Sequence, residues 1–382
     1  IKSSAASDVY KRQYVRSKCM IFFVAVLFLL IISGAEFSKP NEFNKDYISR
    51  AGTTAIKGIF VILIMFSHGK GYIDVGGKFD VPYLKMQDHL NQMIVAMFMF
   101  YSGYGIMESI KKKGSAYIDT IPKKRFPQVL LNMDIAVVLF LILAATAGKF
   151  YSVGHILLTL VGWESVGNSN WYIFVILALY VVTYFAFLIL KKKNNKATQL
   201  IGVIITTVIS VAFVYILMKT KTTKQSWWYN TLILYSLGMW YSYFKDKIEK
   251  VLMKNDLIFF AASGVLVLAY LEAYNMRSDY GIYSYTVWAV LFTLGIVMIT
   301  MKVKITNPVL EWFGNHVFSV YILQRIPMIL LSRYGVADRH KYEFMIASII
   351  VTVLLAEIFD RCTGALLSLI HISEPTRRVV IS

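Results

Sequence analysis

A series of apolar runs constrains the fold of this 382-residue chain more than any other feature of its sequence. The runs recur along most of its length, and as helices of about 17 to 22 residues each is long enough to cross the hydrocarbon core of a membrane. Hydrophobic residues make up 57% of the chain and charged residues only 16%. Strands of a membrane β-barrel would alternate over about ten residues, and the sequence lacks that alternation. The predicted fold is therefore all-α, a polytopic bundle of transmembrane helices.

The runs predict ten core spans, preceded by one extra N-terminal hydrophobic helix at residues 20–34. The run at 150–163 is short and ends in a polar stretch, which favours a re-entrant or interfacial helix over a span. Residues 20–34 also resemble a signal peptide, but we prefer a retained helix because the cleavage site is weak. The ten core spans are predicted at residues 55–68, 90–109, 129–147, 171–190, 200–218, 227–244, 257–274, 283–301, 309–331 and 344–359.

The positive charges indicate how the bundle is oriented. The formal net charge is +18, and the lysines and arginines are concentrated in short loops between apolar runs. Alternation of the spans places the lysine-rich loops 110–127, 191–197, 245–255 and 302–307 on one side, which the positive-inside bias assigns to the cytoplasm. Loop 219–225, with three lysines on the other side, breaks the pattern. This placement favours a protein of the lipid bilayer and argues against a nucleic-acid partner.

The two ends of the chain look foreign to the rest. Residues 1–13 and 367–382 resemble translated sequencing-adapter read-through, and we exclude them from reasoning about the fold. Residues 14–49 comprise the extra helix and a polar linker, and residues 50–360 form the predicted membrane domain. No loop of that domain is long enough to fold alone, so any chemistry is expected within the bundle or at its faces.

One predicted span carries a polar residue near each end. Eleven positions separate Lys57 from His68, which at about 100° per residue places both side chains on one face of a helix, about 16 Å apart. Such residues are costly in an apolar helix unless something uses them. Taken alone, His68 also fits a helix-end histidine satisfied by water or lipid headgroups, and Lys57 fits a lysine that snorkels to the cytoplasmic boundary.

Five stretches, taken in order, resemble the acyltransferase 3 family over roughly residues 50–359. In that family a basic residue, usually arginine, precedes a histidine with ten residues between them, and Lys57 and His68 fill those positions. Many members carry histidine where this chain has Gln324, so we assign Gln324 no role in proton transfer. The five stretches are AIKGIFVILIMFSH (55–68), FMFYSGY (98–104), KKRFP (123–127), NWYIF (170–174) and FGNHVFSVYIL (313–323).

The resemblance implies an integral-membrane O-acyltransferase of bacterial type, multi-pass in the inner (plasma) membrane, that modifies cell-surface glycans or related acceptors. Acyl-CoA, with acetyl-CoA the expected donor, would arrive from the cytoplasm, and no bound cofactor or metal is expected. Histidine is a base of near-neutral pKa, as deprotonation of an acceptor hydroxyl requires. His68 is thus the predicted catalytic residue, either as that base or as a carrier of the acyl group. The predicted substrate-binding residues are Lys57, Ser102, Gly103, Arg125, Trp171, Asn315, Ser319 and Tyr321.

Each of these residues also has a structural interpretation. Lys57 and Arg125 would bind the phosphates or amides of the donor, but cations at a cytoplasmic boundary also orient membrane proteins. The Ser102-Gly103 pair is typical of close helix packing, although a notch for the pantetheine arm would look identical. Glu164 is a speculative orienter of His68. Trp171 fits an interfacial belt as well as a sugar-stacking site, and the polar residues of 315–321 fit interhelical hydrogen bonds as well as acceptor contacts.

A transporter or flippase for a lipid-linked saccharide is the alternative function. Charges within a helical bundle are compatible with it. Transporters often contain internal duplication and paired broken helices, and the sequence shows neither. Release of CoA that depends on an acceptor would distinguish the two functions.

Overall fold

The computed structural model describes residues 20–188 and 192–369, and its regular structure is almost entirely helical. The predicted all-α bundle is confirmed. Residues 1–13 and 370–382 lie outside the described chain, whereas 367–369 continue the last helix. The helices are α1 (Ile21–Ser33), α2 (Thr54–Lys70), α3 (Val81–Leu90), α4 (Met93–Lys113), α5 (Ser115–Ile118), α6 (Phe126–Ala145), α7 (Val153–Leu160), α8 (Trp171–Leu188), α9 (Lys196–Thr220), α10 (Leu234–Leu252), α11 (Asp256–Asn275), α12 (Ile282–Lys302), α13 (Pro308–Asn315), α14 (Val317–Leu323), α15 (Arg325–Arg333), α16 (Val336–Arg339) and α17 (Lys341–Leu369). Two short strands, β1 (Ala35–Phe37) and β2 (Val303–Ile305), pair antiparallel.

Seven helical segments of the described chain are long and apolar enough to cross a membrane. Three predicted core spans take other forms, so the number ten stays a prediction. Residues 55–68 lie in the 17-residue helix α2, residues 227–244 become helical in α10 only from Leu234, and residues 309–331 are divided among α13, α14 and α15. The seven segments are Met93–Lys113, Ser115–Ala145, Trp171–Leu188, Lys196–Thr220, Asp256–Asn275, Ile282–Lys302 and Lys341–Ser368.

The helix ends meet at two faces, as the predicted alternation requires. At one of them the end of α4 contacts α10, where Lys111 Nζ donates to the Ser242 carbonyl at 2.9 Å. At the same face the end of α12 meets the start of α11 through an ion pair between Lys302 and Asp256. We call this the basic face, because loops rich in lysine lie there. We call the other one the opposite face.

A buried carboxylate ties three segments together at the opposite face. Asp80 is 1% exposed and accepts hydrogen bonds from the backbone N–H of Met20 at 3.1 Å and of Gly76 and Gly77 at 3.2 Å. Lys341 Nζ, at the start of α17, lies 2.7 Å from the same carboxylate. Burial alone would raise the pKa of Asp80, but these hydrogen bonds outweigh burial and hold its pKa below the usual 3.8.

Replacing Asp80 with asparagine is expected to lower the free energy of unfolding by about 1–3 kcal/mol, the usual contribution of hydrogen bonds to a charged group. Because the pKa of Asp80 is lowered on folding, its contribution is present above the usual pKa and is lost as pH falls through the lowered one. Thermal unfolding in detergent between pH 6 and pH 3 checks this: the variant should lose less stability in acid. Asp74→Asn, an exposed change in the same loop, is the control, and equal acid loss in wild type and Asp80→Asn would contradict the expectation.

Helix α1 packs as a member of the bundle and connects its two faces. Its first turn lies beside Asp80 at the opposite face, and the strand that follows it pairs with β2. The Phe23 ring contacts those of Phe66 and Tyr342, both with centroids 5.8 Å away. The retention of this helix in the mature protein stays a prediction.

The start of α2 is fixed by a close crossing with α13. A Cβ atom on Gly58 would lie 1.9 Å from the Leu310 carbonyl oxygen, and one on Gly314 would lie 1.9 Å from that of Thr54. The two backbones touch without intervening side chains, which only glycine permits at these positions. The crossing therefore sets the position of Lys57, which precedes Gly58.

The run at 150–163 does not form a span. Helix α7 contains eight residues, and apolar side chains on and beside it are exposed, among them Phe150, Val153 and Leu157. Eight residues rise only about 12 Å, too little to cross a membrane. This geometry fits the predicted interfacial helix.

The lysines of loop 219–225 contact aromatic rings. Lys221 Nζ lies 3.4 Å from the centroid of the Trp163 ring and 4.0 Å from that of Trp228, and Lys219 Nζ lies 5.4 Å from that of Tyr215. Cation–π contacts of this kind stabilise a positive charge locally. They account for two of the lysines that break the charge pattern of the loops.

Candidate active site

His68 lies near the end of α2 at the opposite face, with its imidazole partly buried. Its Nδ1 atom is buried and has no hydrogen-bond partner among the described residues. The polar groups that act on the ring come from the junction of α14 and α15, where the Gln324 amide and the Arg325 guanidinium face it. The end of one helix and the junction of two others thus build the site.

The sequence explains the junction between α14 and α15. Pro327 has no N–H to donate to the carbonyl four residues earlier, so the helix is interrupted near that point. Gln324 is fully buried there, and its Nε2 donates to the Tyr321 carbonyl at 3.1 Å. That bond leaves Oε1 as the free acceptor, and Oε1 has no partner among the described residues. Two unpartnered atoms, this oxygen and Nδ1 of His68, therefore belong to neighbouring side chains.

Arg325 presents a cation beside His68. Its Nε and Nη2 donate to the Tyr72 hydroxyl at 3.4 and 3.3 Å, and its Nη1 donates to Ser169 Oγ at 3.3 Å. Both partners are neutral, and no carboxylate of the described chain pairs with this guanidinium. Arg325 is partly exposed, so solutes at the opposite face can reach it.

Lys57 is buried inside the bundle rather than extended to its boundary. It is 2% exposed, and its Nζ lies 5.9 Å from the centroid of the Tyr101 ring. In the described chain it forms no ion pair with a carboxylate, and the charge nearest to it is the cation Arg50. This placement disfavours snorkelling, which would leave the ammonium exposed.

Arg125 is a second cation held by aromatic rings on the basic side. It ends a π-helical turn, Ile121–Arg125, that leads into α6. Its guanidinium lies 5.3 Å from the centroid of the Tyr117 ring and 6.0 Å from that of Tyr180. Within the described residues no carboxylate pairs with it, so its positive charge is balanced only by rings and hydroxyl groups.

A row of buried polar side chains connects the surroundings of Arg125 with those of His68. Tyr172 lies in the middle of this row, beside Ser102. On the side of Arg125 it interacts with Tyr180, and on the side of Gln324 it interacts with Tyr321. The centroids of the Tyr172 and Tyr321 rings are 5.8 Å apart. The side-chain oxygens of Tyr172, Ser102 and Tyr321 are buried and have no hydrogen-bond partner in the described chain. We call Tyr180, Tyr172, Ser102, Tyr321 and Gln324 the polar row. Buried polar groups normally find partners, so a row without them is suited to a polar ligand.

Other predicted site residues lie elsewhere or have structural contacts. Ser319 Oγ donates to Asp360 at 3.0 Å and to the His316 carbonyl at 3.1 Å, so its hydroxyl links α14 to α17. Asn315 ends α13, away from the junction at Gln324. Trp171 begins α8 partly buried, with its ring 6.0 Å from that of Tyr172, and so lies beside the polar row.

Gly103 and Glu164 also have structural surroundings. A Cβ atom on Gly103 would lie 1.9 Å from the Tyr235 carbonyl oxygen, so helix α10 fills the notch at this residue. The Glu164 carbonyl accepts from Asn170 at 2.6 Å, and the Glu164 charge acts on Lys221. The polar neighbours of His68 are Gln324 and Arg325, so the orienting role considered for Glu164 has no support.

A histidine that was assigned no role contacts two carboxylates between α13 and α17. His316 is 2% exposed, and its Nε2 lies 3.2 Å from Glu357 and 3.7 Å from Asp360. Its ring stacks on Trp312 at 4.1 Å, and Nδ1 donates to the Trp312 carbonyl at 2.7 Å. These contacts anchor the break between α13 and α14. In the described residues no group of three or more His, Cys, Asp or Glu side chains is arranged to hold a metal ion.

Sequence reasoning missed four polar residues of the site: Tyr72, Ser169, Tyr172 and Gln324. Gln324 was given no role in proton transfer because it departs from the family pattern, although its side chain interacts with the His68 ring. Arg325 lies within the run at 309–331 that the sequence predicts as a span, and a charge in such a run is itself a signal of function. Ser169 and Tyr72 come from loops, and no spacing in the sequence relates them to His68.

Comparison with known proteins identifies the family. The model of an acyltransferase domain, that of the acyltransferase 3 family, matches residues 50–359. The chain therefore belongs to the acyltransferase 3 family, and it is a multi-pass membrane acyltransferase that transfers groups other than aminoacyl groups. No match was found among curated proteins or among solved structures.

Proposed function

We propose that this acyltransferase moves an acyl group, acetyl in the first instance, from acyl-CoA bound at the basic face to a hydroxyl of a saccharide at the opposite face. His68 is the catalytic base. The observation that carries this proposal is the polar row, which leads from Arg125 to His68. Four of its side-chain oxygens, those of Tyr172, Ser102, Tyr321 and Gln324, have no hydrogen-bond partner in the described chain. The family supplies acyl transfer as the reaction, and the arrangement of these residues supplies the path.

The cations on the basic side are suited to the phosphates of CoA. Several other half-buried cations of the described chain have carboxylate partners, such as Glu108 for Lys111 and Asp80 for Lys341, each at 2.7 Å. Lys57 and Arg125 have none. A buried charge without a counter-ion is strongly destabilising, and an anionic ligand would remove that cost. The donor therefore binds with its phosphates toward these two residues.

The pantetheine arm lies along the polar row. Lys57 and His68 stand about 16 Å apart along α2, a length that an extended pantetheine arm can cover. Its amides exchange hydrogen bonds with the hydroxyls of Ser102, Tyr172 and Tyr321, which lack partners in the described chain. The thioester then reaches the opposite face beside His68.

His68 acts on the acceptor hydroxyl. In the reacting complex Nδ1–H donates to Gln324 Oε1, two atoms that have no partner in the described chain. This bond leaves the lone pair of Nε2 free to take the hydroxyl proton. The alkoxide oxygen attacks the thioester carbonyl, the carbon–sulfur bond breaks, and the proton passes from His68 to the departing CoA thiolate. The products are an ester of the saccharide and free CoA. Gln324 thus orients the base without exchanging a proton itself.

The setting proposed for this reaction follows the family resemblance. The acceptor is a cell-surface or lipid-linked glycan, and the membrane is the inner (plasma) membrane of a bacterium, with the basic face toward the cytoplasm as the positive-inside bias favours. The enzyme keeps no bound cofactor, since acyl-CoA enters as a substrate.

Acceptor-dependent release of CoA tests the proposed function. The full chain in lipid nanodiscs would receive acetyl-CoA and a panel of p-nitrophenyl glycosides, with CoA and acetylated glycoside measured by liquid chromatography and mass spectrometry. We expect both products in equal amounts and only when both substrates are present. A protein that moves lipid-linked saccharides without acylating them would release no CoA, and that result would contradict the proposal.

Replacing Lys57 with methionine or Arg125 with glutamine is expected to raise the KM for acetyl-CoA by about tenfold or more, because each change removes a charged hydrogen-bond donor worth about 1.5–3 kcal/mol. The KM for the acceptor should change little. Lys112→Met, which removes an exposed lysine at the same face, is the matched control. An unchanged KM for acetyl-CoA in both variants would contradict the donor-side assignment.

A further inference from the structure

Arg325 has a charge that neither the fold nor the proposed reaction uses. We propose that Arg325, together with Ser169 and Tyr72, forms an anion subsite for the acceptor, so that the acylated saccharide carries a carboxylate or a phosphate close to the reacting hydroxyl. This inference rests on the proposed function, because it names the class of acceptor used at the same site. The subsite requires an anionic group, which the acceptor supplies and the chain does not.

The contacts of Arg325 leave its charge unsatisfied. A guanidinium has five N–H donors and pairs best with carboxylate or phosphate through two parallel hydrogen bonds. Arg325 instead donates to two neutral hydroxyls, at 3.3 to 3.4 Å, which is long for hydrogen bonds to a charged group. These hydroxyls hold the side chain in place without neutralising it.

The position of Arg325 ties this charge to the reaction. It follows Gln324 directly in the chain, and both residues face the His68 ring. Gln324 Oε1 and the Tyr321 hydroxyl, three residues apart in the chain, are buried and without partners in the described chain. Arg325 also begins the nine-residue helix α15, whose N-terminal dipole adds to the attraction for an anion. A bound anion at this residue would therefore lie beside the base.

Arg333, at the other end of α15, differs from Arg325 in its position relative to His68. It also binds neutral groups, donating to the Thr146 hydroxyl at 3.1 Å and to the Leu143 carbonyl at 2.8 Å. The partners of Arg333 belong to the end of α6. Arg333 itself lies more than two helical turns along the chain from Gln324. Arg333 therefore offers a matched arginine on the same helix without access to His68.

Binding of small anions tests the subsite without requiring turnover. The full chain in nanodiscs, with the donor site saturated by CoA, would be heated with glucose, D-glucuronate or glucose 6-phosphate, since a ligand that binds the folded state raises the Tm. We expect a higher Tm with at least one anionic sugar, no change with glucose, and loss of the effect in Arg325→Gln but not in Arg333→Gln. A response to glucuronate identifies a sugar acid, and a response to glucose 6-phosphate identifies a phosphorylated acceptor. Equal shifts of the Tm in wild type and Arg325→Gln, or no shift of the Tm with either anionic sugar, would contradict the anion subsite.

Turnover gives a second readout that separates this inference from the proposed function. With acetyl-CoA as donor, the KM for p-nitrophenyl glucuronide should be about tenfold lower than that for p-nitrophenyl glucoside, as expected for one charged hydrogen-bonded pair. Arg325→Gln should abolish this difference in KM, and Arg325→Lys should keep part of it. Arg333→Gln should leave the KM for both glycosides unchanged. Equal use of the two glycosides would contradict the anion subsite alone, whereas failure to acetylate any acceptor would contradict the proposed function.

Discussion

Replacing His68 with alanine is expected to abolish acyl transfer while leaving the protein folded in the membrane. A positioned general base accelerates a reaction by about 100-fold to 10,000-fold, and no other histidine of the described chain lies at the junction of α14 and α15. The loss should appear in kcat, because the proposed donor site at Lys57 and Arg125 is left intact. Initial rates of CoA release in nanodiscs, with the amount of folded protein matched, measure it.

The control for this variant is another histidine at the opposite face. His340 precedes α17 and is exposed, so His340→Ala should retain the wild-type rate. Gln324→Glu serves as a further probe, since a carboxylate beside the ring would favour the protonated imidazole and move the pH profile of kcat toward higher pH. Activity of His68→Ala close to that of the wild type would remove His68 from the reaction.

Replacing Gly103 with alanine is expected to destabilise the bundle by about 2 kcal/mol or more, the cost of forcing an extra carbon into a packed core. The added Cβ would lie 1.9 Å from the Tyr235 carbonyl oxygen, and Gly238 makes the reciprocal contact, 2.0 Å from that of Phe100. Backbone atoms block both positions, so no side chain can rotate away to relieve the clash. Thermal unfolding of the purified protein measures the effect, and Gly238→Ala should match it.

Gly264 offers the matched control because a Cβ atom there would meet nothing within 4 Å. It lies within α11, so Gly264→Ala should be neutral or stabilise the protein by up to about 1 kcal/mol through helix propensity. The result expected for Gly103→Ala also separates the two interpretations of the Ser102-Gly103 pair. A variant of normal stability that binds acetyl-CoA poorly would favour the pantetheine notch over close packing.

The sequence was sufficient to predict the fold class, because an apolar run of membrane length has few alternatives to a helix. It was not sufficient to predict breaks within a run. Residues 309–331 read as one span, yet the missing N–H of Pro327 and the side-chain bond of His316 to the Trp312 carbonyl divide them into three helices. Hydropathy averages over such features and so does not detect them.

The site was predictable only in part, for a related reason. Lys57 and His68 share one helix, and a fixed spacing on a helix defines a direction. Tyr72, Ser169 and Arg325 come from three separate segments that tertiary packing alone brings together. Gln324 shows a further limit: a family pattern directed attention to its position but gave glutamine no role, whereas its free amide oxygen faces the predicted base.

Transfer across a sealed membrane tests the central claim most directly. The protein would be reconstituted into liposomes that enclose a panel of p-nitrophenyl glycosides, with labelled acetyl-CoA added only outside. The account predicts that enclosed glycosides become acetylated while CoA appears outside, and that His68→Ala abolishes both. Acetylation that occurs only when glycoside and acetyl-CoA share one compartment would contradict a path along the polar row from the basic face to His68.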